Sequence, residues 1–311
     1  MRHGIMKSLV CAATFFSASV LALPLDTYNL IVLEDLEYLS GHVQGKTLVG
    51  GNLNPSNSNH SLGFGSRLSG GTSLEVVGNI GNVGITLENG TNLIYGGTNN
   101  AAHINRNGGG EVYYDPSMSI KAVADELFAA TSSYNSLSAN GTVGVVSSKV
   151  LFEYSGVDDT AVFDFDSGLY LNSNLDLNLD AGNAENIVIN VSGKNIEFGN
   201  QKPLDGFNNG NHFDWSKIIW NFFEAETIDF GNAQMVGAVL APFASVSGGS
   251  QFDGSVAVKT FQGSQQFHTP VYRGPQPPKP PTTQIPNPSS LILIALGLLA
   301  LRTNQRTLRP A

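Results

Sequence analysis

The sequence predicts a mostly β protein, folded as an irregular β-solenoid with one long amphipathic helix packed along it. Three observations support this prediction. Only 13% of the 311 residues are charged while 35 are glycine, a composition typical of short strands and tight turns. Brief apolar runs recur between glycine and asparagine turns, and a single stretch shows the helical period.

The solenoid is predicted from the spacing of short strands along most of the chain. Runs of the same texture occur at 73–97, 141–154, 185–199 and 235–261. In such a coiled arrangement each turn of the chain buries small apolar residues against the next, and glycine and asparagine suit corners that need a positive φ. A β-sandwich is the competing fold.

The helix is predicted from about 117 to 138. Asp115 is a candidate N-cap, Pro116 suits the first helical position, and Asn140-Gly141 ends the pattern. Apolar residues recur three or four positions apart, at Ile120, Val123, Leu127, Ala130, Tyr134 and Leu137. We expect this helix to cover an open face or edge of the β structure, because an uncovered edge invites aggregation.

The first 22 residues have the pattern of a secretory signal peptide. Arg2 and Lys7 precede an apolar stretch, and a small-residue cleavage site ends at Ala22. The one cysteine, Cys11, lies within this segment. The mature protein is therefore expected to lack disulfides and thiol chemistry and to be secreted by a bacterium.

The charge is concentrated in the middle of the chain. Setting aside the five Lys and Arg residues of the two ends changes the net charge from −9 to −14. A surface of that sign repels nucleic acid and anionic polymers, so we expect no nucleic-acid partner.

The C-terminal end combines a spacer with a short apolar segment. Residues 273–285 are rich in proline and predict an extended linker. The apolar run Leu291–Leu301 is followed by arginines, which favour a cytoplasmic position for this end. As a helix the run spans roughly 16 Å, about half of a bilayer core near 30 Å.

Residues 286–311 resemble the PEP-CTERM sorting tail of Gram-negative bacteria. The family motif falls on Pro286, Asn287 and Pro288, with asparagine where that family has glutamate. The resemblance implies an exosortase as partner and a membrane segment that anchors the chain before processing. A plain C-terminal membrane tail is the alternative.

Three separated blocks make residues 23–272 resemble the choice-of-anchor A domain. The first includes Gly45, Gly50, Gly51 and Asn52, the second includes Trp220 and Asn221, and the third includes Ala241, Pro242 and His268. The resemblance implies a surface-exposed β-solenoid similar to ice-binding and adhesive domains. It implies an adhesive or matrix role and no enzymatic activity.

A few side chains are candidates for binding or chemistry. Asp164 and Asp166 are two positions apart, and Asp176 and Asp180 are four positions apart. Each pair lies in an alternating run that puts both carboxylates on one face, so all four are candidate Ca²⁺ ligands. Trp215 is a candidate for stacking on a sugar ring. The five histidines after the signal segment form no His-x-His or His-Glu-x-x-His motif, so no catalytic residues and no cofactor are expected.

These observations predict a secreted, non-catalytic adhesive or extracellular-matrix protein of a Gram-negative bacterium. It would lie at the cell surface or in the biofilm matrix and bind a polysaccharide or another surface ligand. The first alternative is a β-helix carbohydrate-active enzyme, a lyase or hydrolase using the aspartates. The second is an ice-binding protein, although the linear sequence contains no regular threonine ladder.

Overall fold

A computed structural model describes residues 23–55, 61–147, 149–171, 175–199 and 214–277. It confirms the predicted mostly β solenoid with a helix beside it. The predicted signal peptide and sorting tail lie outside the described residues.

The strands of the N-terminal half precede the helix. They are β1 Leu30–Val32, β2 Leu36–Tyr38, β3 Gly41–Val43, β4 Thr47–Val49, β5 Leu53–Asn54, β6 Ser61–Phe64, β7 Thr72–Val76, β8 Gly84–Leu87, β9 Asn92–Tyr95, β10 His103–Arg106 and β11 Val112–Tyr114.

The long helix α1 spans Lys121–Asn135, and a short helix α2 spans Ser167–Tyr170. The remaining strands are β12 Thr142–Val146, β13 Lys149–Glu153, β14 Thr160–Asp166, β15 Asp176–Asp180, β16 Asn186–Ser192, β17 Asn195–Glu197, β18 Ile218–Asn221, β19 Thr227–Asp229, β20 Gln234–Val236, β21 Ala238–Ser247, β22 Gln251–Asp253, β23 Val256–Gly263 and β24 Gln266–His268. Single 3-10 turns occur at Pro24–Asp26 and Trp215–Lys217.

Apart from a separate three-stranded sheet of β12, β13 and β15, the strands form three faces of parallel ladders, which excludes the competing β-sandwich. The helix face has the order β11-β9-β7-β4-β1-β23-β21-β18-β16-β14, and the third face has the order β10-β8-β6-β3-β24-β22-β20. The polar face, named for its outward side chains, joins β17, β19, the second halves of β21 and β23, β2 and β5. A complete coil, such as β1-β2-β3, contributes one strand to each face.

The coils do not stack in chain order. β1 lies between β4 and β23, with Leu30 opposite both Thr47 and Val256. The chain therefore starts in the middle of the solenoid and builds outward to β11. It then crosses through α1 to the other half and returns from β14 to β23 beside its own first coil.

The core fills the space between the three faces. Leucine, isoleucine and valine dominate the N-terminal coils, whereas aromatic rings stack through the C-terminal coils, with Phe198, Phe230, Phe252 and Phe267 in successive contact. Trp220 is fully buried, and its indole Nε1 donates to Val236 O at 2.9 Å. The apolar residues that alternate along the sequence thus form columns of inward-facing side chains.

The predicted helix exists, but its predicted ends were wrong. Helix α1 begins at Lys121 rather than 117 and ends at Asn135. The Asp115 carboxylate accepts the backbone N–H and the hydroxyl of Ser117, at 2.9 and 2.6 Å. This local turn uses the carboxylate that would otherwise cap the helix.

Two buried asparagines fix α1 to the helix face. Asn221 Oδ1 accepts the Thr131 hydroxyl, and its Nδ2 donates to Thr131 O at 3.0 Å and to Asn190 Oδ1 at 2.9 Å. Asn190 Nδ2 then donates to Tyr134 O at 3.0 Å. Both asparagines are almost fully buried, so the network specifies where along the sheet the helix sits.

The two ends of the domain leave the solenoid at one place. Leu23 N donates to Gln276 Oε1 at 2.7 Å, and Tyr134 Oη donates to Pro275 O at 2.7 Å. Burial raises the pKa of Tyr134 above its ordinary value, so its hydroxyl remains a donor. Among the described residues, no helix has the length and apolar character needed to span a membrane.

We predict that Asn221→Ala destabilises the domain by about 2 kcal/mol or more, because Thr131 and Asn190 would lose buried partners. Urea unfolding followed by fluorescence measures the change. Asn195→Ala, on the exposed strand β17, is the matched control and should change the free energy of unfolding by less than about 0.5 kcal/mol. An Asn221→Ala midpoint equal to that of the control would refute the helix-anchoring role.

Candidate functional site

The polar face presents a column of short polar side chains across neighbouring coils. Register pairs Asn195 with Thr227, Thr227 with Ser245, and Ser245 with Thr260. Leu36 lies opposite Phe261, so the preceding residue, Asp35, lies opposite Thr260 and is the next member of the column. The column then continues through Asn52 and Asn79 to Thr98. At a strand spacing of about 4.8 Å, the whole column is roughly 34 Å long.

Side-chain hydrogen bonds order the N-terminal half of this column. Asp35 Oδ1 accepts from Asn52 N at 2.7 Å and from Asn52 Nδ2 at 3.0 Å. Asn52 Oδ1 accepts in the same way from Asn79, and Asn79 Oδ1 accepts from the backbone and hydroxyl of Thr98. Each side chain is therefore held by the coil next to it, and the surface is preorganised.

A second outward column lies two residues further along each strand. It comprises Glu197, Asp229, Ser247, Gln262, Glu37 and Asn54. Gln262 Nε2 donates to Glu37 Oε2 at 2.8 Å. The two columns together carry hydroxyl, amide and carboxylate groups without a basic side chain among them.

The glycines of the first sequence block allow the coils to approach each other beside this face. A Cβ on Gly51 would lie 2.4 Å from Asp35 Oδ1, and one on Gly50 would lie 2.2 Å from Leu33 O. Any side chain at these positions would push Asn52 away from Asp35. The block resembling the choice-of-anchor A signature thus builds the part of the polar column where Asp35 meets Asn52.

The third face carries a cluster of His42, Asp253, Gln266 and His268 on three adjacent strands. His268 Nδ1 lies 2.8 Å from Asp253 Oδ1, and His268 Nε2 lies 3.1 Å from Gln266 Oε1. The His42 and His268 rings have their centroids 6.2 Å apart. Burial and the neighbouring His268 lower the pKa of His42 below its ordinary value, and Glu88 opposes this shift.

Asp253 is the buried support of this histidine cluster, with only 7% of its side chain exposed. Its Oδ2 accepts from Gln234 Nε2 at 2.6 Å and from Gln251 Nε2 at 2.9 Å. The Asp253 carboxylate thus accepts hydrogen bonds from three side chains. It keeps a proton on His268 Nδ1, pointing toward Asp253.

Sequence reasoning missed this pairing of histidines. His42 and His268 are 226 positions apart, and they meet because β24 pairs with β3 where the last coil stacks on the first. The sequence shows no local histidine motif, so nothing in it signals that these two side chains meet. From the sequence, His268 stands out only as part of a family block.

The four aspartate candidates lie on two different sheets. Asp164 and Asp166 project from β14 of the helix face, and Asp176 and Asp180 belong to β15, in a separate three-stranded sheet. Asp166 also accepts from Leu169 N at 3.1 Å and caps α2. Within the described residues, no group of three or more His, Cys, Asp or Glu side chains is placed to hold a metal ion.

Asp164 and Asp166 border a groove of about 430 Å³ at the C-terminal end of α1. Its other walls include Leu137, Leu169 and Phe223, and none of its lining residues is basic. Trp215, the candidate sugar-stacking residue, lies half-buried against the core. The candidate sorting residues Pro286, Asn287 and Pro288 lie outside the described residues.

The sequence matches the protein family described as "Putative Ice-binding-like adhesive domain" over residues 22–269. Among solved structures, the chain is similar to an ice-binding protein from an Antarctic bacterium, Flavobacteriaceae. That similarity has 12% identity, covers 78% of this chain and 82% of the other, and has a TM-score of 0.28. No curated protein matches the sequence.

Proposed function

We propose that this chain, which belongs to the ice-binding-like adhesive domain family, is a non-catalytic adhesive protein displayed at the cell surface or in the extracellular matrix. The polar face is the observation that supports this proposal. It is a long, preorganised surface of hydroxyl and amide groups, and α1 packs on a different face. Such groups bind the hydroxyl-rich surface of a polysaccharide by hydrogen bonding.

The finer assignments follow from the sequence resemblances. We propose a choice-of-anchor A protein of a Gram-negative bacterium, secreted across the inner membrane. Residues 286–311 would be a PEP-CTERM-like tail handled by an exosortase-type enzyme. The proposal includes no cofactor and no nucleic-acid partner, in keeping with the acidic middle of the chain.

Ice binding is the second candidate, and the polar column favours it. Thr227, Ser245 and Thr260 stand in register on adjacent strands, so folding assembles a short hydroxyl ladder that the linear sequence did not display. The neighbouring column interrupts the pattern with Glu197, Asp229 and Glu37. We therefore place adhesion first.

We predict that Thr227→Lys with Ser245→Lys reduces attachment of the protein to matrix polysaccharide at least fivefold, because two long cations would disrupt the contact surface. Binding of the purified protein to a glycan array and to isolated matrix measures this. Thr142→Lys, on the exposed strand β12, is the control and should bind like the wild type. Equal binding by all three proteins would contradict the assigned surface.

The same proteins test the ice-binding alternative. Thermal hysteresis in the wild type that is lost in the double lysine variant would favour ice binding over adhesion. Attachment without thermal hysteresis would favour adhesion.

For the tail, we predict that deletion from Leu291 onward releases the protein from the membrane fraction, because the apolar run is removed. Asn287→Glu should increase the processed fraction, since it restores the glutamate of the resembled motif. Cell fractionation and the mass of the mature protein measure both effects. Membrane retention of the deleted protein would refute the anchor.

The enzymatic alternative places a polysaccharide in the groove beside Asp164 and Asp166. The proposal of a non-catalytic protein predicts no cleavage of matrix polysaccharide above background. Cleavage that disappears in Asp164→Asn would overturn it in favour of a hydrolase or lyase.

A further inference from the structure

We infer that His42 and His268 on the third face form a binding site for a divalent transition-metal ion of the imidazole-preferring class, such as Cu²⁺, Ni²⁺ or Zn²⁺. This site is separate from the polar face. The inference goes beyond the proposed adhesive function and does not depend on it.

Asp253 supports His268 as a metal ligand would be supported. Metal-binding histidines usually donate their second ring N–H to a carboxylate or carbonyl, which fixes the tautomer and makes the other nitrogen a better ligand. Here the 2.8 Å contact between Nδ1 and the buried Asp253 carboxylate provides this support. His268 Nε2 lies on the opposite side of the ring from Asp253 and contacts Gln266 Oε1 at 3.1 Å, so a bound metal ion would take the place of the hydrogen in that contact.

His42 lies close enough to His268 to share an ion with it. A metal ion lies about 2.0–2.1 Å from each imidazole nitrogen, so tetrahedral coordination puts two ring centroids about 5 Å apart. The observed separation is 6.2 Å, and a rotation that moves one ring by about 1 Å closes the difference. The neighbour of His42 on β6 is Gly63, which has no side chain to oppose that rotation.

The surrounding groups select the class of metal. The Asp253 carboxylate is already engaged by His268, Gln234 and Gln251, so it is not free to ligate Ca²⁺ or Mg²⁺. Two imidazoles remain, with the Gln266 side-chain oxygen 3.1 Å from His268 Nε2 as an additional oxygen donor. Such nitrogen-rich sites prefer Cu²⁺, Ni²⁺ and Zn²⁺. The remaining coordination positions stay open to water or to an external ligand.

The test titrates Cu²⁺ into the full chain in mild detergent, in a His3→Ala, Cys11→Ser background that removes competing ligands from the leader. Calorimetry measures stoichiometry, and electron paramagnetic resonance counts the coordinating nitrogens. We expect one ion per chain with two nitrogen ligands. His42→Ala or His268→Ala should weaken binding at least tenfold.

His103→Ala is the matched control, because His103 lies exposed on β10 of the same face and should leave binding unchanged. Asp253→Asn should weaken binding about tenfold or more through the loss of support to His268. Circular dichroism and unfolding of each variant establish that it is folded.

Several outcomes would overturn the site: wild-type affinity in folded His42→Ala or His268→Ala, a single nitrogen ligand in the spectrum, or no saturable binding. In each of these cases the Asp253–His268 pair serves only to hold β24 to β22. The glycan-binding experiment changes residues of the polar face, whereas the metal titration changes residues of the third face. A negative result in one experiment is therefore distinguishable from a negative result in the other.

Discussion

The parallel pairing of β1 with β23 is the constraint on which the rest of the structure depends. It joins residues near 30 to residues near 256, and Asn29 reinforces it by donating from Nδ2 to Gly254 O and His268 O while accepting from Gly45 N. Without this junction the two halves would be separate stacks, each with an exposed edge. Such distant contacts make closure entropically costly and folding slow.

Both candidate surfaces are products of that junction. On the polar face, Thr260 of the last coil continues into Asp35 of the first, so one column extends through both halves. On the third face the same stacking puts β24 beside β3 and brings His268 to His42. The residues of both proposed binding surfaces therefore come from opposite ends of the chain.

The strand texture and the helix could be predicted from the sequence because both are local patterns. Alternating apolar residues such as Leu74, Val76 and Ile85 define inward columns wherever the coils stack. The order of stacking is not local, so the histidine pair and the continuous polar column could not be foreseen. The start of the helix was misplaced because Asp115, a good N-cap by type, bonds Ser117 in a turn instead.

The point where the chain leaves the domain has a mechanical consequence. Residues 272–276 follow β24, whose coil lies in the interior of the stack with neighbours on both sides. A pull on the C-terminal connection therefore enters the fold at its centre and loads the ladders of β24 with β22 and with β3 together. A strand at the end of the stack would instead be peeled off one hydrogen bond at a time, so a domain pulled at its middle resists force better than one pulled at an end strand.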